Sequence, residues 1–381
     1  MKRLRISSLI ALVLGTPLAA QAQSSVTLYG MLDEALTYYN NVGHGSLLRL
    51  QGGNYSYNGW GLKGTEDLGG GLAAVFNLLN NFNLNTGTAS QGERLFGKTA
   101  WMGLVDQSLG TIRLGRQFDT TVDLIQPITA DPYSPAFSTP GDVDNNDDSF
   151  SPNNAIKYIS PGFGGLKVEL LYAFGGVAGN ISSQETSSAG ALFTHGGLSL
   201  AAGYVFAKND GPAGVGTADQ TQNSSVTPLF GSVPFVGSRL ISQAAAQYVT
   251  GPFIANVRYS NAQWKPYASY AAFTRTETYN TGGASLAYKA TPAVLFNIGY
   301  VYTSSSGASS ATYQTVAVGT EYSLGTLTTL YAIGAYAHAH GTTFSEDGNS
   351  IVAAGGTVAD LESSSSTPNQ VVLMIGLTKK F

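Results

Sequence analysis

Segments in which apolar and polar residues alternate recur from Gln23 to Phe381, and clusters of Gly, Asn, Ser and Asp separate them. Residues two apart on a β-strand share a face of the sheet, so each segment predicts a strand with one apolar face. Charged residues fall on the other face: Lys157, for example, lies between Ile156 and Tyr158. No long segment repeats with the 3.6-residue period of an amphipathic helix. The sequence therefore predicts an all-β domain.

The direction in which the apolar faces point separates two architectures. A β-sandwich turns them inward, whereas a transmembrane β-barrel turns them outward to lipid. Composition favours the barrel, because only 11% of the residues are charged, against about 25% in ordinary soluble domains. The alternation alone leaves the sandwich open as an alternative. Several aromatic residues are predicted to form belts at the membrane surfaces: Tyr29, Tyr38, Tyr39, Trp101, Tyr172, Tyr204 and Tyr259.

The length of the chain sets the expected number of strands. A tilted strand needs about 9–11 residues to cross the membrane, and with its connection each strand takes roughly 20–25 residues. The residues after Ala22 then predict about 16 strands. The sheet has to close, because an open edge would leave unpaired backbone groups in hydrocarbon. An even number of strands places both chain ends on the periplasmic side.

The first residues have the pattern of a secretory signal. A basic start is followed by the apolar stretch Ile6–Leu18 and by the small-x-small site Ala20-Gln21-Ala22. We expect residues 1–22 to be cleaved as a signal peptide and residues 23–381 to form one barrel domain. Cleavage lowers the 19 basic residues to 16 against 23 acidic ones, a formal charge of −7 that argues against a nucleic-acid partner. The chain has no cysteine, so it has no disulfide or thiolate metal site.

Two kinds of segment interrupt the alternation. Thr120–Pro152 contains six aspartates and several prolines but no strand pattern, which predicts one long acidic loop. Ser-rich and Gly-rich stretches near Asn209–Ser225, Gly307–Thr312 and Phe344–Pro368 are typical of solvated external loops.

Six motifs in the chain resemble those of the Gram-negative general porins, in particular the trimeric 16-stranded branch of neisserial and related bacteria. The motifs are SSVTLYGMLD at Ser24–Asp33, GLKGTEDLGGGL at Gly61–Leu72, RLFGKTAWMGL at Arg94–Leu104, LGTIRLGRQFD at Leu109–Asp119, NNAIKYISPGFGGL at Asn153–Leu166 and MIGLTKKF at Met374–Phe381. The resemblance covers nearly the whole chain after the signal. It implies a 16-stranded antiparallel transmembrane barrel in the outer membrane, whose long third loop folds into the pore.

The resemblance also implies a function. The pore would pass ions and small hydrophilic solutes by passive diffusion, with a constriction where loop carboxylates face basic wall residues across a transverse field. The basic wall candidates are Arg49, Lys63, Lys98, Arg113, Arg116 and Lys157, and the acidic loop candidates are Asp119, Asp123 and Asp131. Many relatives carry Ser-Arg before an aromatic-Gly pair, where this chain has Asn58-Gly59. A Lys-Arg-Thr that is common after Leu324 is replaced by Gly325-Thr326. These two departures predict a basic cluster with fewer cations.

The resemblance further implies a homotrimer embedded in outer-membrane lipid. Phe381 would be the signal that the barrel-assembly machinery reads. No catalytic residue, cofactor or metal is expected, so the chain is not expected to be an enzyme.

Four other interpretations compete with the channel. A barrel acting mainly as a surface adhesin would use its loops as binding elements. The string GERLFGKT at Gly92–Thr99 has the spacing of a phosphate-binding loop but is followed by strand-like sequence rather than a helix. A hydrolase would need Ser, His and an acid brought together by the fold. Separately, His338 and His340 would place two imidazoles on one strand face, where they could bind a metal.

Overall fold

Antiparallel β-strands make up most of the chain. The computed structural model describes residues 24–209, 236–266, 272–345, 350–361 and 364–381. The strands are β1 (Ser25–Val42), β2 (Gly45–Gln51), β3 (Gly59–Gly69), β4 (Leu72–Leu79), β5 (Thr99–Asp106), β6 (Gly110–Arg116), β7 (Ala155–Ile159), β8 (Leu166–Ala173), β9 (Thr186–His195), β10 (Leu198–Lys208), β11 (Val236–Thr250), β12 (Phe253–Pro266), β13 (Glu277–Thr291), β14 (Val294–Ser306), β15 (Ser310–Gly325), β16 (Thr328–Phe344), β17 (Ile351–Ala353) and β18 (Asn369–Lys380). The predicted signal peptide and most of the stretch Asn209–Ser225 lie outside these residues.

Short helical segments occur only in the connections of this described part of the chain. They are α1 (Ser90–Glu93), α2 (Thr120–Leu124) and four single 3₁₀ turns at Gln126–Ile128, Asp131–Tyr133, Pro135–Phe137 and Pro140–Asp142. Within the described ranges, no helix is long and apolar enough to cross a membrane.

The sheet closes on itself. Each strand pairs antiparallel with its neighbours, and β1 pairs with β18 with Met31 opposite Lys380 and Tyr39 opposite Val372. Both β2 and β3 pair with the same edge of β1, so they form one barrel strand that is interrupted at residues 52–58. Strand β17 pairs only with the last three residues of β16, so it does not count as a separate barrel strand. The described segments therefore form sixteen barrel strands, and the predicted fold is confirmed.

Side-chain hydrogen bonds hold the interruption between β2 and β3 against β1. Asn58 accepts a hydrogen bond from the backbone N–H of Asp33 at 2.7 Å and donates to the Asp33 carbonyl at 2.8 Å. The Asp33 carboxylate in turn accepts from the backbone N–H of Tyr55 at 3.0 Å. Asn58 thus supplies the donor and acceptor that the interrupted strand lacks.

The two faces of the sheet differ as the alternation predicts. Leu28 is 58% exposed and Ile375 is 71% exposed, whereas Lys157 and Glu169 on the inner face are fully buried. A sandwich would bury its apolar faces, so the outward apolar face excludes that alternative.

The predicted aromatic belts are only partly correct. Tyr38, Tyr204 and Tyr259 are exposed on the outer face. Tyr39 is fully buried, and Tyr29 donates to Asn77 inside the barrel at 2.5 Å, because the odd-numbered residues of β1 point inward. Trp101 also points inward, where the Arg113 guanidinium lies 4.2 Å from its ring centre.

The two ends of the barrel have different connections. One end carries tight turns, such as the turn between β3 and β4, where Gly70 and Gly71 adopt φ values of 64° and 87° that favour glycine. The start of β1 and the end of β18 lie at this end. The opposite end carries the long connections, including residues 117–154 between β6 and β7, here called the inward loop.

Candidate functional site

The inward loop begins with a capped helix that packs on the barrel wall. The Asp119 carboxylate accepts from the backbone N–H groups of Thr121 at 2.7 Å and Val122 at 3.3 Å, which caps the N-terminus of α2. Burial raises the pKa of this carboxyl. On β9, a Cβ atom at Gly190 would lie 3.1 Å from Leu124, so glycine there lets α2 approach the wall closely. The predicted acidic residue Asp119 therefore caps a helix.

The middle of the inward loop crosses the barrel interior. Its Ser134 hydroxyl donates to the Asn54 carbonyl in the interruption of the second barrel strand at 2.7 Å. The Phe137 ring lies where a Cβ atom at Gly299 of β14 would be, at 2.5 Å. The Gly141 N–H donates to the Ala359 carbonyl in the connection between β17 and β18 at 2.6 Å. These contacts on several parts of the wall fix the loop inside the barrel.

The returning part of the loop is anchored on β11 and β12. Asp144 pairs with Arg258 at 3.0 Å and also accepts from the Ser260 hydroxyl. Gln243 donates to the Asp144 carbonyl at 2.7 Å, and the Trp264 indole donates to the Val143 carbonyl at 3.0 Å. Arg258 was not among the predicted basic residues, because its partner lies more than a hundred positions away in the chain.

Three of the predicted basic residues are paired with carboxylates of the inward loop. Lys98 on the wall pairs with Asp148. Lys157 on β7 pairs with Asp123 and, at 3.0 Å, with Glu169 of β8. Arg113 lies 3.9 Å from the same Asp123. Lys157 and Arg113 therefore contact Asp123, an acid that they were predicted to face across the pore, whereas the partner of Lys98 was not among the predicted acids.

The other three predicted basic residues have different surroundings. Arg116 donates to the carbonyls of Gly97 at 2.6 Å and Ser151 at 2.7 Å, so it ties both ends of the inward loop to the wall. Arg49 donates to Gln51 at 3.0 Å. The Lys63 ammonium lies 5.1 Å from the centre of the Tyr29 ring, nearer the tight-turn end of the barrel.

An open cavity of about 650 Å³ lies between the inward loop and one side of the barrel. That side is formed by Met31 of β1, by the interruption between β2 and β3, by the connection between β4 and β5, and by Lys380 of β18. The loop contributes Asp131, Asp147 and Asp148, and Asp360 comes from the connection between β17 and β18. The cations that line the cavity are Lys98 and Lys380. Among the described residues, no other cation lines it. Of the predicted site residues, Asp131 and Lys98 line this cavity.

Several lining residues were missed from the sequence. The sequence did not single out Asp147, Asp148, Asp360 or Lys380. Asp360 carries no periodic signal, because it lies in an irregular connection far along the chain from the inward loop.

Burial raises the pKa values of three carboxyls that line the cavity. Burial and the neighbouring Asp148 raise the pKa of Asp131 to about 7. Burial raises the pKa of Asp360 to about 6, and burial together with Asp131 and Asp360 raises the pKa of Asp147 well above its ordinary value. The common cause is that the buried ionised forms lose part of their hydration, which favours the protonated forms.

The alternative chemistries gain no support from the geometry. Thr99 begins β5 directly, so a strand and not a helix follows the string Gly92–Thr99. The His338 ring lies 2.8 Å from the Asn369 side-chain oxygen. Across the described residues, no group of three His, Cys, Asp or Glu side chains has the arrangement of a metal site.

Comparison with known proteins decides the family. Residues 8–342 match the sequence profile of the Gram-negative porins. The chain belongs to the Gram-negative porin family. This porin is therefore a β-barrel protein of the outer membrane, in agreement with the resemblance carried by its motifs.

Curated relatives of this porin match over part of their length. An outer membrane porin protein of Bordetella pertussis is 34% identical over 184 residues, which are 43% of this chain and 46% of the relative. Outer membrane porin protein 32 of Delftia acidovorans is 37% identical over 175 residues, 44% of this chain and 49% of the relative. The matched region thus spans about half the length of these relatives.

Solved structures share the fold over nearly the whole porin. The anion-selective porin from Comamonas acidovorans has a TM-score of 0.73 at 20% identity and covers 94% of this chain and 100% of its own. The trimer form of OmpT from Vibrio cholerae has a TM-score of 0.65 at 17% identity and covers 94% and 99%.

Proposed function

We propose that this porin is a passive channel for ions and small hydrophilic solutes. The observation that carries the proposal is the open, polar cavity between the inward loop and the barrel wall. A water-filled passage of this kind transports down a concentration gradient and requires no covalent chemistry. Membership in a channel-forming family agrees with a protein that is not an enzyme.

The inward loop would screen solutes by size. Lys157, Arg113, Arg116 and Lys98 contact this loop or its ends, so in this proposal they hold it at a fixed depth and thereby set the width of the passage. Asp123 would act from the loop side in the same way, and Asp119 would fix the shape of the loop by capping α2.

Charge screening would come from the groups that line the cavity. Asp131 and Lys98 lie there, and Arg49 and Lys63 would add positive potential to the entrances on either side. The Comamonas neighbour is anion-selective. At 20% identity its selectivity does not transfer, because selectivity depends on individual side chains at the constriction.

We further propose that three copies associate through their outer walls. The outer face around the junction of β1 and β18 carries large exposed apolar residues, among them Leu36, Leu48, Leu50, Leu373 and Ile375. Such residues suit either lipid or another barrel. The trimer form of the Vibrio cholerae neighbour supports this assembly.

Export and assembly complete the proposal. Residues 1–22 would direct the chain out of the cytoplasm and be removed after Ala22. Phe381 would then present the last strand to the barrel-assembly machinery, which inserts the protein into outer-membrane lipid.

Swelling of liposomes tests the channel directly. Proteoliposomes that hold the refolded protein are diluted into isotonic solutions of sugars of increasing mass, and the initial swelling rate is recorded. The proposal expects fast swelling with small sugars and a steep fall with size. Swelling no faster than that of empty liposomes would contradict it.

A further inference from the structure

The connection between β8 and β9, residues 174–185, exposes an apolar surface on the outside of the barrel. We call it the β8–β9 loop. Phe174 is 42% exposed and Ile181 is 70% exposed. Together with Val177, Ala178 and two glycines, they line an open cleft of about 520 Å³. The loop carries no charged residue before its last position. An exposed apolar surface of this kind marks a place where another molecule binds.

The wall of the barrel is low where this loop begins. Strand β8 has 8 residues, whereas β16 has 17. A strand of the shorter length, tilted by about 40°, rises roughly 20 Å along the membrane normal, and the apolar band of such barrels is about 25 Å tall. Strand β8 therefore ends before the outer boundary of the band, and the β8–β9 loop lies at that boundary.

The apolar surface of the loop continues the lipid-facing row of β8. Leu170 and Tyr172 lie on the outer face of this strand, and Phe174 follows them in the same alternation. The ring centres of Tyr172 and Phe174 are 5.0 Å apart. The surface that meets lipid along β8 thus runs without a break into the cleft, which points to lipid as the molecule that fills it.

The position of the loop around the barrel argues against a second copy of the chain as the occupant. Counted with β2 and β3 as one strand, β8 and β9 are the seventh and eighth of the sixteen barrel strands. They lie across the barrel from the junction of β1 and β18, where the copies are proposed to meet. A copy bound at that junction does not reach the β8–β9 loop, so this side of the barrel faces lipid.

Hydrogen bonds pair backbone groups of the loop, as a position at the edge of hydrocarbon requires. The Phe174 N–H donates to the Asn154 carbonyl at 3.1 Å, and the Asn180 N–H donates to the Val177 carbonyl at 3.1 Å. The Lys208 ammonium at the end of β10 donates to the Ser182 carbonyl at 3.0 Å. The loop can therefore place its apolar side chains in lipid without leaving these backbone groups unpaired.

We propose that the β8–β9 loop binds an acyl chain of an outer-leaflet lipid in its apolar cleft. Phe174, Val177 and Ile181 would contact the methylene groups of the chain, which removes their apolar surface from water. The bound lipid would complete the apolar outer surface above the short strand β8. This inference concerns the outside of the barrel, so it does not depend on the proposed channel function.

Fluorescence quenching in vesicles tests the inference. The chain has no cysteine, so one introduced cysteine carries a polarity-sensitive label at a chosen place. The label is attached at Ile181→Cys, at Leu170→Cys on the lipid-facing wall as the lipid control, and at Ser310→Cys at the external end of β15 as the aqueous control. Each folded variant is inserted into phosphatidylcholine vesicles in which part of the lipid carries a nitroxide on its acyl chain near the headgroup. Quenching by this lipid is compared with quenching by iodide in water.

We expect the nitroxide lipid to quench the label at Ile181→Cys several-fold more strongly than the label at Ser310→Cys, and iodide to give the reverse order. Filling the cleft with Ala178→Phe should lower the lipid quenching at Ile181→Cys. The same change should leave the quenching at Leu170→Cys unaltered, because that residue contacts lipid on the wall below the cleft.

Three results would overturn the inference. Strong iodide quenching at Ile181→Cys would show that the loop lies in water. A label there that is protected from both quenchers would show that protein, and not lipid, covers the cleft. Lipid quenching that Ala178→Phe leaves unchanged would show contact with lipid but no chain bound in the cleft. None of these results bears on whether the barrel conducts, so the channel proposal is tested separately.

Discussion

Arg258 on β12 and Asp144 in the inward loop form a buried ion pair at 3.0 Å. The other guanidinium nitrogen of Arg258 donates to the Thr139 hydroxyl at 2.7 Å, and Ser260 donates to the same carboxylate. Arg258 on the barrel wall therefore binds the inward loop at two residues, Thr139 and Asp144. The width of the passage depends on contacts of this kind, because the loop between them has no regular hydrogen-bond ladder.

Replacing Arg258 with Met should loosen the inward loop. The change leaves Asp144 buried without its cation, which costs roughly 3–5 kcal/mol when a buried pair loses one partner. We expect the open-channel current to become noisier and its mean to change, because the loop samples several positions. The matched control is Lys265→Met on the exposed face of the same strand, which should leave the current trace unaltered. A quiet, unchanged current in Arg258→Met would contradict the anchoring role.

Replacing Lys157 with Met should destabilise the barrel wall. Lys157 and Glu169 are both fully buried, and Lys157 also pairs with Asp123. The substitution leaves Glu169 only Lys167, a partly exposed cation at 2.7 Å. The expected loss is about 3 kcal/mol in the free energy of unfolding, measured by urea denaturation in detergent micelles. The double variant Lys157→Met with Glu169→Gln should recover part of the loss, because it removes the charge of the buried Glu169. Equal stability of the single variant and the native protein would refute this account of the pair.

Replacing Asn58 with Ala should weaken the interrupted second barrel strand. The change removes both hydrogen bonds to the Asp33 backbone. Leaving these buried groups unsatisfied costs about 1–3 kcal/mol. We expect faster amide hydrogen exchange in β1 around Asp33, while exchange in the distant strands β11 to β14 is unchanged. Exposed Asn180, in the connection between β8 and β9, provides the control, since Asn180→Ala should not alter the exchange in β1.

Removing the ring of Phe381 separates packing from recognition. The backbone of Phe381 exchanges two 3.0 Å hydrogen bonds with Gly30, and its ring covers Gly30 while remaining 47% exposed. Phe381→Ala keeps the backbone bonds, so refolding into detergent should proceed at the native rate. If Phe381 is read by the assembly machinery, the folded amount in cell outer membranes should fall several-fold. The control is Phe163→Ala, at an exposed residue of a tight turn, which should change neither quantity. If Phe381→Ala lowers the yield of refolding in detergent as much as the folded amount in cell outer membranes, Phe381 has a packing role alone.

The barrel itself was predictable from the sequence, since alternation is a local property. Residues such as Leu28 and Lys157 could be assigned to opposite faces from parity alone. The number of strands followed from the length needed to cross a bilayer. The interruption at Asn58 could not be predicted, because it depends on hydrogen bonds to a strand that lies earlier in the chain.

The charged partners in the interior were harder to predict. The sequence suggested basic residues facing acids across a gap, whereas Lys98 and Lys157 contact loop carboxylates directly. Asp147 and Asp360 come together only through the path of two irregular loops, and such loops have no period that reveals their direction. Which charges line the passage is therefore a property of the tertiary structure.

The central claim is that an aqueous passage runs between the inward loop and the wall of this porin. Single-channel current of the purified, refolded protein in a planar lipid bilayer tests it most directly. We predict stepwise openings whose current is proportional to voltage and which arrive in groups of three if the trimer forms. A correctly folded barrel that conducts no current would contradict the claim.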